Sequence, residues 1–175
     1  VVGNALDKDS FAGEIKPADT FLQMVGVAHP GPSKAAEFRE VDLVSICASV
    51  AAAKGAGIQH FIYISVAQPA PMMKAYIEVR AEGESLLRAS GMNATILRPW
   101  YVLGPGHRWP YTLVPLYWLL ERLPSTRESA RRLGLVTLKQ MVQALVKAIE
   151  SPVAGIRVVE VPQIRNACEL GQEPQ

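Results

Sequence analysis

The chain has 175 residues, of which 49% are hydrophobic and 19% charged, the proportions of a globular domain with a sizeable core. Eighteen basic residues against 16 acidic ones leave a net charge of +2, a balance that predicts neither nucleic-acid binding nor membrane-surface binding. The two cysteines, Cys47 and Cys168, lack metal or redox spacing; no basic-then-apolar leader opens the sequence, and the apolar run over 109–120 is too short to span a bilayer, so a cytoplasmic location is expected.

Val1-Val2-Gly3-Asn4-Ala5-Leu6-Asp7 reads as the tail of a strand and its turn, after which Asp7 or Asp9 caps a short helix through Ile15. A strand is predicted over 20–26, followed by a loop at His29-Pro30-Gly31-Pro32. Ser33 is placed to cap a long helix over 34–54 that ends at Lys54-Gly55-Ala56-Gly57. The β-branched and aromatic run Phe61-Ile62-Tyr63-Ile64 predicts a buried strand over 60–65, with Ser65 at its carboxyl end. Gln68-Pro69-Ala70-Pro71 forces a loop, and a helix is expected over 73–89, stopped at Ser90-Gly91. Ala94-Thr95-Ile96-Leu97 begins a strand over 94–98 that ends at Arg98-Pro99. Strand, helix and strand in this order make a βαβ unit and therefore a parallel sheet with helices on both faces.

Further along, 104–110 is a loop, in which His107 and Arg108 either meet an acidic or phosphorylated substrate or are simply solvated. The Leu-, Tyr- and Trp-rich stretch over 111–123 is either core or the wall of an apolar pocket. Arg122, Arg127, Arg131 and Arg132 form a basic patch, and the acids interleaved with them, Glu121 and Glu128, favour a solvated face over an anion site. Gly134-Leu135-Val136-Thr137 leads into a helix over 138–149, with Thr137 as its cap. A last strand is expected over 156–161, ended by Pro162, and the segment 166–175 is expected to be a disordered tail.

Polar groups gather where ligands of open α/β sheets bind, at the carboxyl ends of the strands. Tyr76, Arg80 and Glu84 are spaced by four and share one helix face, and Tyr76 lies near the helix end that points back toward Ser65. A hydroxyl, a phenol and a cation in that arrangement suit hydride-transfer chemistry: the Tyr gives or takes a proton, the cation lowers its pKa, and the Ser orients a carbonyl.

Ser65, Tyr76-Ile77-Glu78-Val79-Arg80, Glu84 and Leu97-Arg98-Pro99-Trp100-Tyr101-Val102-Leu103-Gly104-Pro105-Gly106 together resemble the extended and atypical short-chain dehydrogenase/reductases, near the epimerase/dehydratase-like proteins and the group similar to an accessory subunit of respiratory complex I. The resemblance implies a Rossmann-like doubly wound parallel sheet, with NAD or NADP as cofactor and a small-molecule substrate, possibly apolar. It implies Ser65, Tyr76 and Arg80 as catalytic residues. It places Asn4, Ala5, Val25, Gly26, Val27, Tyr76, Arg80, Pro99, Trp100 and Val102 at the cofactor. Arg80 stands where the family has Lys, which keeps the charge but changes its shape from a point to a planar fork. No G-x-G-x-x-G or G-x-x-G-x-x-G occurs in the 175 residues, so the sheet is expected to be incomplete at the amino terminus and the chain to be a fragment. On this reading residues 1–165 form a truncated NAD(P)-binding domain with a small substrate-side segment over about 104–135, and the exposed edge at Phe21-Leu22-Gln23-Met24-Val25 favours self-association.

Two functions follow. The chain is part of an NAD(P)-dependent oxidoreductase or epimerase with Tyr76 as acid/base, or it is a non-catalytic NAD(P)-binding sensor or accessory protein.

Overall fold

Strand β1 (Thr20–Gln23) pairs in parallel with β2 (His60–Ile64), Thr20 opposite His60 and Gln23 opposite Tyr63, in a computed structural model that describes residues 2–104 and 112–167. With β3 (Ala94–Arg98) and β6 (Ile156–Glu160) they form a four-stranded sheet in the order β1-β2-β3-β6, a Rossmann-like parallel arrangement. A second, two-stranded parallel sheet joins β4 (Tyr101–Leu103) to β5 (Leu135–Thr137). The strands predicted over 20–26, 60–65, 94–98 and 156–161 are all present, each within three residues of its expected ends. β4 and β5 are three-residue strands, too short for an alternation pattern to reveal them, and 134–137 was expected only to lead into a helix.

The chain divides into two compact units: residues 1–65, 69–96 and 152–157 make the first, and 66–68, 97–151 and 158–175 the second. In the first unit β2 is buried along nearly its whole length, and Phe61, Ile62, Tyr63 and Ile96 are at most 1% exposed. This explains why the sequence of β2 is a continuous apolar run and not an alternating one: both faces are covered. The order places β1 at one end of the sheet, where Phe21 stacks on Phe61 with ring centroids 5.3 Å apart. Val2 and Gly3 lie outside any strand, and Val1 lies outside the described residues. Asp7 caps a single 3-10 turn, Lys8–Ser10, by accepting from the Asp9 N–H, and a second turn, Ala12–Glu14, follows; the short helix expected through Ile15 is thus two separate turns.

The helix expected over 34–54 is broken into pieces of different winding. A 3-10 turn (Pro32–Lys34) leads to α1 (Ala35–Glu37), then a π-helical segment (Phe38–Leu43), then α2 (Val44–Ala56), which stops at Gly57 with φ 74°. Only a residue that tolerates the left-handed region ends a helix this way at little cost. Helix α3 (Lys74–Ala89) follows β2 and runs into Ser90 and Gly91, the latter at φ 73°. Gly83 is where α3 comes nearest the sheet: a Cβ there would lie 2.8 Å from the Tyr63 hydroxyl oxygen and 3.2 Å from Ile46 Cγ2.

In the second unit, α4 (Val114–Leu120), α5 (Arg127–Arg132), α6 (Leu138–Glu150) and α7 (Val161–Asn166) accompany the short sheet. Thr137 caps α6 as expected, in a reciprocal box: its hydroxyl accepts from the Gln140 N–H at 3.2 Å while Gln140 Oε1 accepts from the Thr137 N–H at 2.8 Å. The chain does not leave the fold at Pro162. Pro162 occupies the first turn of α7, where a missing N–H costs nothing. Asn166, expected to begin a disordered tail, is the last residue of that helix, and 168–175 lie outside the described residues. Arg165 on α7 fastens this unit, donating from Nε to the Leu135 carbonyl at 2.8 Å and from Nη1 to Glu121 at 2.8 Å. Among the described residues no helix is long and apolar enough to cross a membrane.

One polar group is buried at the start of β2. His60 is 1% exposed, its Nε2 is 3.0 Å from Thr95 Oγ1, and Arg157 donates to the same hydroxyl at 3.1 Å. Burial, with help from the Arg157 charge, pushes the imidazole below its ordinary value of 6.5. The unfolded chain therefore takes up this proton before the native state does, and stability contributed by neutral His60 falls as pH drops below 6.5. Urea unfolding between pH 7.5 and 5 is expected to show a loss with a slope of at most about 1.4 kcal/mol per pH unit from this group, and His60→Gln is expected to remove that part of the slope.

Candidate functional site

The segment that leaves β1 is pinned by side chains on both sides of Gly26. Gln23 Oε1 accepts the Val25 N–H at 2.7 Å, and Asp42 Oδ2 accepts the Val27 N–H at 3.0 Å. Gln23 Nε2 donates to Ser45 Oγ at 3.0 Å, and Ser45 Oγ donates to the Asp42 carbonyl at 3.1 Å. Gln23, Asp42 and Ser45 are each at most 2% exposed, so these are buried polar groups whose hydrogen-bonding capacity has been directed at one loop. Asp42 sits in the π-helical segment beside Phe38, and both side chains point inward.

Asp42 also holds Arg80. The Arg80 guanidinium pairs with Asp42 through Nη2 and donates from Nη1 to the Ile64 carbonyl at 2.9 Å, the last residue of β2. The two side chains are 6% and 0% exposed. The rings of Tyr63 and Tyr76 flank the guanidinium, with centroids 5.7 and 5.3 Å from its central carbon. Gly26 completes the enclosure: a Cβ there would fall 2.2 Å from Arg80 Nη2 and 3.0 Å from Asp42 Oδ1. Gly26 is thus required by the seat of Arg80, a reason that its place in a strand-end turn did not reveal.

Tyr76, on the first turns of α3, is half-buried and packs its ring against Phe38 at 5.0 Å. Its phenol is raised above the ordinary 10.0, because burial outweighs the pull of Arg80, and the nearby Asp42 carboxylate works in the same direction as burial. The sequence led to the expectation that the cation lowers this pKa. The guanidinium does act that way, but burial outweighs it. Tyr63 is pushed up to about 12, again chiefly by burial. Burial likewise pushes the Asp42 carboxyl up, against the opposing effects of Arg80 and the Val27 N–H.

Ser65 follows β2 and is 3% exposed; its hydroxyl donates to Glu84 Oε1 on α3 at 2.7 Å. Glu84, 3% exposed, thus ties the helix to the strand end, with Arg88 3.7 Å from its other oxygen. Ala5 and Val25 line one cleft of about 320 Å³, with Phe11, Phe21 and Leu22 on its walls. This slot, apolar and flanked by the strand end, suits a flat ring such as adenine, so these residues fit the adenosine part of a dinucleotide. Asn4 is not on its wall; its amide oxygen accepts from the Leu6 N–H at 3.0 Å. Pro99, Trp100 and Val102 belong to the second unit: Pro99 accepts from the Ala67 N–H, Trp100 packs edge-on against Tyr101 at 5.6 Å, and Val102 pairs with Val136. His107 and Arg108 lie outside the described residues.

The residue the sequence reading passed over is Asp42. It lies in a helix taken as structural throughout. The available signal was a carboxylate among apolar neighbours, three residues before Ser45 and on the same face.

Breaking one side of a buried ion pair leaves an uncompensated charge. Arg80→Met is expected to destabilise the protein by about 3–5 kcal/mol. The double variant Asp42→Leu/Arg80→Met is expected to lose much less than the two single variants combined. Urea unfolding of the four proteins checks this, and additive losses would show that the two groups are not coupled.

The family model described as NAD(P)H-binding matches residues 1–115. Among solved structures, a dTDP-glucose 4,6-dehydratase from Streptomyces venezuelae with NAD bound is 16% identical with a TM-score of 0.63, over 89% of this chain and 56% of that one. The Bordetella bronchiseptica enzyme WbmH in complex with NAD+ is 18% identical with a TM-score of 0.66, over 100% and 67%. A UDP-N-acetylglucosamine 4-epimerase from Bacillus cereus is 12% identical with a TM-score of 0.66, over 91% and 64%. The chain thus spans a little over half of the dehydratase's length. No curated protein matches. The likeness to these structures shows the fold, and the matched family model, which covers the whole of β1, β2 and β3 with the helices between them, shows that the chain belongs to the NAD(P)H-binding family.

Proposed function

We propose that the protein acts as an NAD(P)-dependent oxidoreductase or epimerase of the short-chain type on a small carbonyl or hydroxyl substrate, with Tyr76 as the group that moves the proton and with donation as its favoured role. The observation that carries this is the state of the Tyr76 phenol, which burial keeps protonated well into the alkaline range. A phenol in that state is an acid and not a base. Bound NAD(P)H supplies the hydride that reduces a carbonyl carbon. Tyr76 donates its proton to the carbonyl oxygen, the product is the alcohol, and the tyrosinate regains a proton from solvent. Ala5 and Val25 would hold the adenosine part, and Gly26 and Val27 would present backbone that Gln23 and Asp42 have already fixed. Arg80 then serves as a positioning residue: it supports the Tyr76 ring from beneath while its own donors face Asp42 and Ile64. The dehydratase and epimerases of similar fold support this class of reaction.

A second reading has its own support. The Ser65 hydroxyl is directed to Glu84 and the Arg80 guanidinium to Asp42, so two of the three groups expected to carry the chemistry are engaged inside the fold. Their engagement supports a protein that holds NAD(P) as a structural or sensing ligand.

Tyr76→Phe separates the two. NADPH affinity measured by fluorescence titration is expected to stay within about threefold, while NADPH-dependent reduction over a panel of aldehydes and ketones falls by about 10²–10⁴. The wild-type rate is expected to hold steady through neutral pH and to fall only above 10.0, where the acid form is lost. A wild-type protein that binds NADPH and turns over no substrate supports the sensor; a Tyr76→Phe protein as fast as wild type removes Tyr76 from the reaction.

A further inference from the structure

The acids interleaved with the arginines over 122–132 favour a solvated face, but the structure engages one of the two elsewhere. Glu121 is taken by Arg165 at 2.8 Å, and Arg122 lies over the Trp118 ring, 3.3 Å from its centroid. Among the described residues, Arg127, Arg131 and Arg132 form no ion pair. All three line one cleft of about 720 Å³ in the second unit, together with Glu128, Gln163 and Asn166. Glu160 also lies on its wall and is neutralised by Arg98 at 2.9 Å. Glu128 is the one acid lining the cleft without a partner, so the cleft carries a surplus of positive charge.

The third arginine, Arg132, is partly exposed. Arg132 Nε is fully covered and has no hydrogen-bond partner, and its Nη2 reaches only Ser129 Oγ, at 3.5 Å. An unsatisfied buried guanidinium nitrogen is costly.

We propose that this cleft is a binding site for a soluble phosphate-bearing molecule. Guanidinium forks match phosphate oxygens two at a time, so three arginines around one concavity suit a phosphate or diphosphate better than a single carboxylate. The volume is in the range of small-molecule sites, and Gln163 and Asn166 add neutral donors. Arg127 and Arg131, one helical turn apart on α5, supply exposed charge, and Arg132, partly exposed, adds a third guanidinium to the lining. The site lies wholly in the second unit and does not depend on the role given to Tyr76.

The test is calorimetric titration of inorganic pyrophosphate into the whole protein at low salt, where phosphate contacts are least screened. Wild type is expected to bind with a submillimolar Kd, and Arg127→Gln/Arg131→Gln to bind at least about tenfold more weakly, the loss of two charge-assisted contacts. Both substituted residues are exposed, so the variant is expected to keep the wild-type melting midpoint and NADPH affinity. Absence of pyrophosphate binding by wild type, or equal binding by the variant, overturns the proposal. Sedimentation with phosphatidylcholine vesicles carrying phosphatidic acid forms the other arm: binding to vesicles without binding to pyrophosphate would assign the patch to a lipid surface and overturn the soluble ligand.

Discussion

Asp42 and Arg80 form a buried ion pair that holds four parts of the first unit together. The pair joins the π-helical segment to α3, the second oxygen of Asp42 fixes the loop after β1 through the Val27 N–H, and Nη1 of Arg80 holds the end of β2 at Ile64. Two charges moved out of water cost several kcal/mol each, and their attraction offsets this only when the geometry is good and the other polar atoms are satisfied. The pair is therefore better understood as fixing a geometry than as a source of stability. Gly26 has no room for a side chain, Tyr63 and Tyr76 cover the guanidinium, and Gln23 and Ser45 extend the polar network.

The consequence for function runs through Tyr76. An isolated cation 5.3 Å from a phenol ring would make the phenolate easier to form. Asp42 opposes part of that pull, and burial decides the outcome in favour of the protonated form. A family that places Lys where this chain has Arg80 can present a compact ammonium toward a ligand. Here the longer, planar side chain reaches inward and finds a carboxylate. The substitution changes which groups the cation touches, although the charge is the same.

Much of the fold was legible because it rests on local patterns. The run Phe61-Ile62-Tyr63-Ile64 has to be buried on both sides, Gly57 and Gly91 stop helices by accepting the left-handed region, and Thr137 and Gln140 make a reciprocal cap. What was hidden depends on long-range partners. The three-residue strands β4 and β5 exist because each pairs with the other, and neither carries a period of its own. The π-helical winding over Phe38–Leu43 leaves no mark on spacing. In the site, Tyr76, Arg80 and Glu84 were found on one face of α3, as their spacing requires, but spacing could not say that Asp42 and Ser65 would engage two of them. The cleft that gathers Arg127, Arg131 and Arg132 was hidden for the same reason, since Gln163 and Asn166 of α7 complete its lining.

The central claim is that burial keeps Tyr76 a protonated phenol while Asp42 holds Arg80. It is tested most directly by carbon-13 NMR of the protein labelled at the tyrosine ring carbon that bears the hydroxyl, with Tyr76→Phe identifying its signal. The account predicts that Tyr76 stays in its phenol form up to pH 10.0 and titrates above it, and that Asp42→Asn, which frees the guanidinium charge, moves the midpoint down. A wild-type midpoint below 10.0, unmoved by Asp42→Asn, would contradict it.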